Sequence, residues 1–297
     1  MVAPIKAMKW MILGGEGQLG RAMALELAKN SIEYISLSRG QLDITNQDDI
    51  EAWLAKEVPS VVLNAAAWTN VDAAESEEES AFLVNALGPK LIAAACSATA
   101  TKYIQISTDY VFSGNSDSPW GEWAEPSPIS AYGRTKAQGE RLVLDTYPNG
   151  SYIVRTAWLY SPWGKNFAKT MMEIAIQESR KVEVVNNQVG QPTSATDLAF
   201  QLHKMVTQNV EPGIYHGTNS GQTTWFEFAK DIFAYVGLDS GRVIPVSSEH
   251  FPRTSSRPVY SVLGHNHWFD VGMHPMRNWR TALIDSLPAV FQAVKQR

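Results

Sequence analysis

KWMILGGEGQLGRAMALELAKN, Lys9 to Asn30, decides the fold. Its first five residues are an apolar run that stops at glycines, the mark of a buried strand. Leu19, Met23 and Leu27 then recur at helical spacing. Strand, glycine turn and helix open a dinucleotide-binding βαβ unit. Gly14, Gly17 and Gly20 permit a tight turn, close approach of backbone to a pyrophosphate, and packing of helix on strand. The helix N-terminus then receives the anion. The glycines are spaced three and three, unlike the two and three of GxGxxG.

Working outward, EYISLS (Glu33 to Ser38) reads as a second strand. An NAD site carries an acid near that strand's end, for the ribose hydroxyls. Here it ends Ser38-Arg39-Gly40, and an arginine suits a 2′-phosphate, so NADPH is expected, with NADH as the alternative. The next stretch, from Gln41 to Pro59, reads as a turn, a helix capped at Thr45 and a proline stop. SVVLNAAAW, from Ser60, is a third strand whose small end residues let backbone lie against a flat ligand. SAFLVNALGPKLIAAACSA is a long amphipathic helix, KYIQIS (Lys102 to Ser107) a fourth strand, and YIVRTAWLY, from Tyr152, a fifth. Alternating strands and helices imply a parallel, doubly wound α/β sheet. Ligands bind beyond the carboxyl ends of such strands. Gly14 to Gly20, Asn64 to Thr69, Ser107 to Asp109 and Trp158 all fall there.

After Trp158 the alternation weakens. KNFAKTMMEIAIQES, TSATDLAFQLHKMV (capped near Ser194) and TTWFEFAKDIFAYVG (ending at Gly237) read as helices. KVEVV and GIYHG read as strands, and SSRPVYSVL as a polar loop. MRNWRTALIDSLPAVFQAV is a last helix, with Pro288 expected to start a second segment. This part reads as a smaller lobe packed on the first.

Tyr132 and Lys136 of SAYGRTKAQGE stand one helical turn apart on one face. A nearby ammonium favours the phenolate and is expected to lower the tyrosine pKa. The pair could give a proton to a carbonyl oxygen or take one from an alcohol.

The 297 residues carry 44% hydrophobic and 19% charged side chains, an ordinary globular balance. A net charge of -5 and the lack of a basic run argue against nucleic acid. A single cysteine, Cys96, excludes an internal disulfide framework, reads as a small core residue and fits a reducing cytoplasm. No apolar run is expected to span a bilayer, so no membrane is expected. MVAPIKA reads as a short extension before Met8. The six histidines lack metal-ligand spacing, and His265 and His267 read as loop residues.

Together GGEGQLG, LDIT, NAAAWTNVDAAE, STDYVFSG, SAYGRTKAQGE, RTAWLYSPWGKNFAKTM, VVNNQVGQPTSATDLA and SSRPVYSVL resemble the extended short-chain dehydrogenases/reductases. More narrowly they resemble the dTDP-4-dehydrorhamnose reductase branch, from about Lys9 to Leu287. The resemblance implies a Rossmann cofactor domain over residues 8–160 and about 181–210. It implies a substrate lobe over about 161–180 and 211–297. It implies reduction of the C4 ketone of dTDP-6-deoxy-L-lyxo-4-hexulose to dTDP-L-rhamnose. By family pattern Tyr132 is the proton donor, Lys136 holds the nicotinamide ribose, and Thr108 hydrogen-bonds the reacting oxygen. Gly14, Gly17 to Gly20, Ser38, Arg39, Asp43, Ile44, and Ala66 to Thr69 (with Ala67 and Trp68) would meet the cofactor. Val71, Asp109, Tyr110 and Trp158 match substrate contacts, and Arg257 could meet the nucleotide diphosphate. Two other readings stay open. One is a reductase of another nucleotide-linked keto-deoxysugar. The other is a non-catalytic NADP-binding subunit like the regulatory subunit of methionine adenosyltransferase.

There are departures from the branch. Some members bind magnesium through glutamates at a dimer interface. Ala22, Thr196 and Arg280 stand at the matching positions, and none can replace a carboxylate for a hard cation. The expectation is therefore no metal, and a monomer or a metal-independent homodimer. Trp68 replaces the usual tyrosine or histidine and makes the cofactor-side wall bulkier.

Overall fold

The computed structural model describes residues 8–177 and 180–296. The extension expected before Met8, and Glu178 and Ser179 of the helix expected there, lie outside the described residues. Six strands form the central sheet: β1 (Lys9–Leu13), β2 (Glu33–Leu37), β3 (Val61–Asn64), β4 (Lys102–Thr108), β5 (Ser151–Thr156) and β6 (Gly213–His216). Their spatial order is β6-β5-β4-β3-β1-β2, and every neighbouring pair is parallel. Helices cover both faces, so the strands read as continuous apolar runs, and β3 is buried at all its positions. The strand pleat divides β1 between two cores. Trp10 and Ile12 pack under α1 (Gln18–Lys29), whereas Met11 and Leu13 face α2 (Gln47–Glu57) and α3 (Gly88–Thr99). The chain crosses from β2 to the far side of β1 to make β3. That reversal opens a crevice at the carboxyl ends of β1 and β3.

α4 (Ala131–Thr146) lies against α3 and carries SAYGRTKAQGE. A second core joins α5 (Phe167–Gln177), α7 (Trp225–Tyr235) and α8 (Trp279–Lys295) through Met172, Phe228, Ile232, Leu283 and Leu287. α6 (Ala195–Thr207) returns to the first core, where Leu198 and Leu202 meet Met23 and Leu27 of α1.

Several expectations change. Val182–Val185 (from KVEVV) was expected with the cofactor domain. It pairs with Val243–Val246 and packs in the second core. Gly213–His216 was expected in the smaller lobe but is the outermost strand beside β5. YIVRTAWLY is not one strand. β5 ends at Thr156, Trp158 takes a left-handed φ of 44°, and Leu159–Tyr160 pairs with Thr193–Ser194. The cap of α2 is Asn46, not Thr45. The Asn46 side chain accepts from Asp48 N and Asp49 N, while the Thr45 hydroxyl donates to Asp43. Pro288 starts no new segment but sits inside α8. The burial of Leu283, Leu287 and Val290 there outweighs the one backbone bond lost. His267 belongs to a short helix, Asn266–Asp270, rather than a loop, while His265 stays in the loop before it.

One stretch among the described residues is long and apolar enough to cross a membrane. Glu78–Thr99 runs as a single 22-residue helix of mean hydropathy 1.4, interrupted by a π turn at Leu83–Leu87. This corrects the expectation that no run reaches that length. Its inward stripe, Ala81, Ala86, Ile92, Ala93 and Cys96, is fully buried in the fold, and that packing accounts for its composition. Burial pushes the Cys96 thiol pKa up, as befits a core residue.

Candidate active site

A cleft of about 980 Å³ runs along the carboxyl ends of the strands. Every residue expected at the site lines it except Gly20. Gly20 acts one layer below, because a Cβ there would lie 2.4 Å from Gly14 O. It lets α1 close on the glycine turn. Gly14 has φ 75°, and a Cβ on it would meet Ala66 N at 2.7 Å. The two loops of the crevice thus touch backbone to backbone, leaving a cradle that any side chain would fill. The first amides of α1 open on that cradle, since no side chain caps Gly17. These features fit a dinucleotide pyrophosphate. The Gln18 side chain does other work. Its Oε1 accepts from Ser161 Oγ and Asn166 Nδ2, both at 2.9 Å, and ties the 159–166 loop to the turn.

Arg39 is exposed at the cleft end and makes no hydrogen bond among the described residues. Ser38 Oγ donates to Gln41 Oε1 at 2.9 Å. Asp43 is held below the usual carboxylate range by the Thr45 amide and hydroxyl, opposed in part by burial and helped by the Arg39 charge. Trp68 is fixed by Asn85, whose Oδ1 accepts from Trp68 N at 2.9 Å and whose Nδ2 donates to Trp68 O at 3.1 Å. Asn85 sits in the π turn, a distortion frequent at functional sites.

Thr108, Tyr132 and Lys136 meet in the middle of the cleft. Thr108 Oγ1 donates to Asp109 Oδ1 at 3.0 Å, and Asp109 Oδ2 is buried with no hydrogen bond of good geometry among the described residues, with Ser261 nearby. Burial pushes the Asp109 carboxyl up to about 6, against its hydrogen bonds. Lys136 is buried and donates from Nζ to Ile106 O at 2.6 Å. Burial brings its pKa down to about 8, partly offset by the negative charge of Glu140. The expected lowering of the Tyr132 pKa is not seen. Burial pushes it up, and Thr108 is what opposes the rise. The Lys136 ammonium is turned to the Ile106 carbonyl rather than to the phenol, so it cannot favour the phenolate here.

Trp158 stacks on Trp225, with ring centroids 3.5 Å apart and planes 12° off parallel. A Cβ on Gly190 would come within 2.5 Å of the Trp158 ring. The strained φ of Trp158 is therefore held by packing on its side chain. Arg257 donates to Asp72 Oδ2 at 3.0 Å and to the Tyr110 hydroxyl at 3.2 Å, while its Nε is buried without a partner among the described residues. A second cavity of about 560 Å³ adjoins the first, and Tyr110, Trp225 and Arg257 line both.

The model of the RmlD substrate binding domain family matches residues 8–291. The dTDP-4-dehydrorhamnose reductase of Streptomyces griseus is 42% identical over 97% of this chain and 96% of that protein. The chain belongs to the dTDP-4-dehydrorhamnose reductase family. A dTDP-4-keto-6-deoxy-D-glucose reductase of Streptomyces niveus is also similar, at 41% identity over 94% of this chain and 96% of that one. A crystal structure of the Bacillus anthracis dTDP-4-dehydrorhamnose reductase in complex with NADP superposes with a TM-score of 0.90. It is 35% identical and covers 95% of this chain and 99% of that chain.

At the positions that match the family's magnesium pattern, Ala22 is 3% exposed in the core between α1 and α6. Arg280 is paired with Asp231 at 2.7 Å. No group of three histidine, cysteine or acidic side chains suited to a metal occurs among the described residues. Sequence reading missed Asn85, Trp225 and Lys165. Lys165 and Trp225 line the cleft, but one is a solvated cation in a loop and the other a helical aromatic. Both residue types read as surface or core until the lobe is folded over the sheet.

Proposed function

We propose that the chain catalyses NADPH-dependent reduction of the C4 ketone of dTDP-6-deoxy-L-lyxo-4-hexulose (dTDP-4-dehydrorhamnose), giving dTDP-L-rhamnose. The observation that carries the reading is the convergence of Thr108, Tyr132 and Lys136 in the cleft floored by the glycine turn. Bound NADPH would supply a hydride to the carbonyl carbon. Charge then develops on the carbonyl oxygen, and the Thr108 and Tyr132 hydroxyls are the groups placed to stabilise it. The raised Tyr132 pKa keeps the phenol protonated at neutral pH, the state a proton donor needs. Lys136 would hold the nicotinamide ribose from the Ile106 side. Trp158, braced by Trp225, offers the sugar a flat wall, and Arg257 reaches toward the diphosphate.

The Streptomyces niveus relative supports a second reading, a different dTDP-linked 4-keto-6-deoxyhexose as substrate. Intact proton-transfer residues in one cleft weigh against a purely regulatory subunit. The test is NADPH oxidation against a panel of nucleotide-linked 4-keto-6-deoxyhexoses, with products identified by NMR. Turnover of dTDP-4-dehydrorhamnose to dTDP-L-rhamnose is expected. Preferred turnover of another sugar would move the assignment to the second reading, and none at all would leave a binding protein. A cytoplasmic location fits the nucleotide-sugar chemistry of this reading.

Cofactor choice should rest on Arg39. A charge-assisted contact with a 2′-phosphate contributes about 1.5–3 kcal/mol. Arg39→Ala should therefore weaken NADPH by roughly 10- to 150-fold and spare NADH, as measured by fluorescence titration. Equal losses for both cofactors would make Arg39 a turn residue.

The pH profile should report Lys136. Its ammonium is present below its pKa of about 8 and lost above it. kcat/KM in the cofactor-binding direction should fall as pH rises through about 8, and Lys136→Arg should carry that limb to higher pH. Assembly should not need metal. Turnover and mass by light scattering should be the same with magnesium and with EDTA, whether the chain is a monomer or a homodimer.

A further inference from the structure

Behind the cleft lies a buried charge network that the proposed chemistry does not use. Its centre is Glu140, one helical turn beyond Lys136 on α4. Glu140 Oε1 accepts from Ser107 Oγ at 2.5 Å and from Arg155 Nε at 3.0 Å, and Oε2 accepts from Arg155 Nη2 at 2.7 Å. Its side chain is 4% exposed and that of Arg155 1%. Ser107 immediately precedes Thr108 on β4, and Ile106, just before it, supplies the carbonyl that holds Lys136. Arg155 stands at the end of β5, which leads to Trp158.

We propose that Glu140 is a positioning residue for proton transfer. Its carboxylate ties the end of β4, the helix α4 and the end of β5 into one rigid unit, and so fixes the Thr108 hydroxyl relative to the Tyr132 phenol. The inference rests on the reductase reading of the site. The two elements that bear the reacting groups, β4 and α4, and the strand that leads to Trp158 meet at a single pair of oxygens.

The network is satisfied on its far side. Arg155 Nη1 donates to Glu122 O at 3.0 Å and lies 3.4 Å from His216 Nε2. His216 Nδ1 is 2.8 Å from Gly264 O, so the ring donates there and presents an unprotonated nitrogen to Arg155. Burial and the Arg155 charge both hold His216 neutral. The titratable and charged groups around Glu140 are thus Lys136 on its own helix, Arg155 on β5 and, beyond Arg155, His216 on β6; Glu122 enters only through its backbone carbonyl, its carboxylate accepting from His267 N. The charged group acting on Lys136 is Glu140, whereas Asp109 and Tyr110 act on Tyr132.

Geometry and charge can be separated by substitution. Ser107→Ala removes the tether to β4 and keeps the ion pair. Glu140→Asp keeps the charge and loses the reach. Glu140→Gln keeps the shape and removes a negative charge near Lys136. In the first two, kcat for the keto-sugar should fall by about 10- to 100-fold. NADPH affinity and the alkaline limb of the pH profile should be unchanged in both; the melting temperature should hold in Ser107→Ala, whereas Glu140→Asp, which loosens the buried ion pair, should lower it. In Glu140→Gln the alkaline limb should move to lower pH as well, because the remaining environment favours neutral Lys136. Glu140→Gln leaves the Arg155 charge buried without its partner; if it does not fold, the other two variants decide. Wild-type kcat in Ser107→Ala and Glu140→Asp would overturn the proposal. So would losses that follow NADPH affinity and melting temperature together, which is the pattern of a purely structural role. Absence of turnover in the wild-type chain would overturn the reductase reading instead, and NADPH binding would still be measurable.

Discussion

Tyr132→Phe should bind NADPH as the wild type does and lose roughly 10²- to 10⁴-fold in kcat, the usual worth of a positioned general acid. The substitution removes one oxygen from a ring that packs edge-on against Tyr110, with centroids 5.6 Å apart. The packing survives, so folding should be intact. The lost group is the proton donor, and its environment makes the loss severe. Thr108 can turn its one hydroxyl proton from Asp109, 3.0 Å away, to hydrogen-bond the carbonyl oxygen, but an aliphatic hydroxyl is too weak an acid to give that proton up. Water is a poor substitute in a cleft whose neighbouring groups are desolvated enough to move the Lys136 pKa to about 8. Single-turnover measurements with saturating NADPH separate the chemical step from binding. A rate near wild type on the authentic substrate would remove Tyr132 from the mechanism.

The second large effect concerns stability. Arg155→Met should cost about 3–5 kcal/mol, because it strands the Glu140 carboxylate in the interior. The guanidinium also lies over the Phe112 ring at 4.9 Å, and the methionine side chain would keep part of that contact. Chemical denaturation should register the full loss. Replacing Glu140 by leucine in the same chain should recover most of it, since removing both members of a buried pair can be nearly neutral. Failure of the double variant to recover stability would mean that Ser107, Glu122 and His216 depend on the pair more than on its charge.

Much of this architecture was legible in the sequence because it follows local rules. Lys9 to Asn30 announced strand, turn and helix through hydrophobic run length, glycine and helical spacing. The strand ends, where the site residues lie, followed from the alternation of elements. Tyr132 and Lys136 could be placed on one helix face by counting. Where local rules compete, the reading failed. Thr45 and Asn46 are both good caps, and only the backbone geometry selects Asn46 while Asp43 takes the Thr45 hydroxyl. Pro288 is a local helix breaker, but the burial of α8 on α5 and α7 overrides it.

The sequence by itself determined the parallel sheet, the cofactor turn and the set of residues around the cleft, because each depends on the spacing of neighbours along the chain. Tertiary structure alone decided the rest. It gave Val182–Val185 to the lobe and Gly213–His216 to the sheet, since a short strand has no intrinsic partner. It stacked Trp225 on Trp158 from a distant helix. It turned Lys136 to a carbonyl of β4 and raised the Tyr132 pKa, reversing the expected sign. Ionisation depends on what surrounds a group in space, and burial is a property of the assembled fold rather than of four residues on one helix.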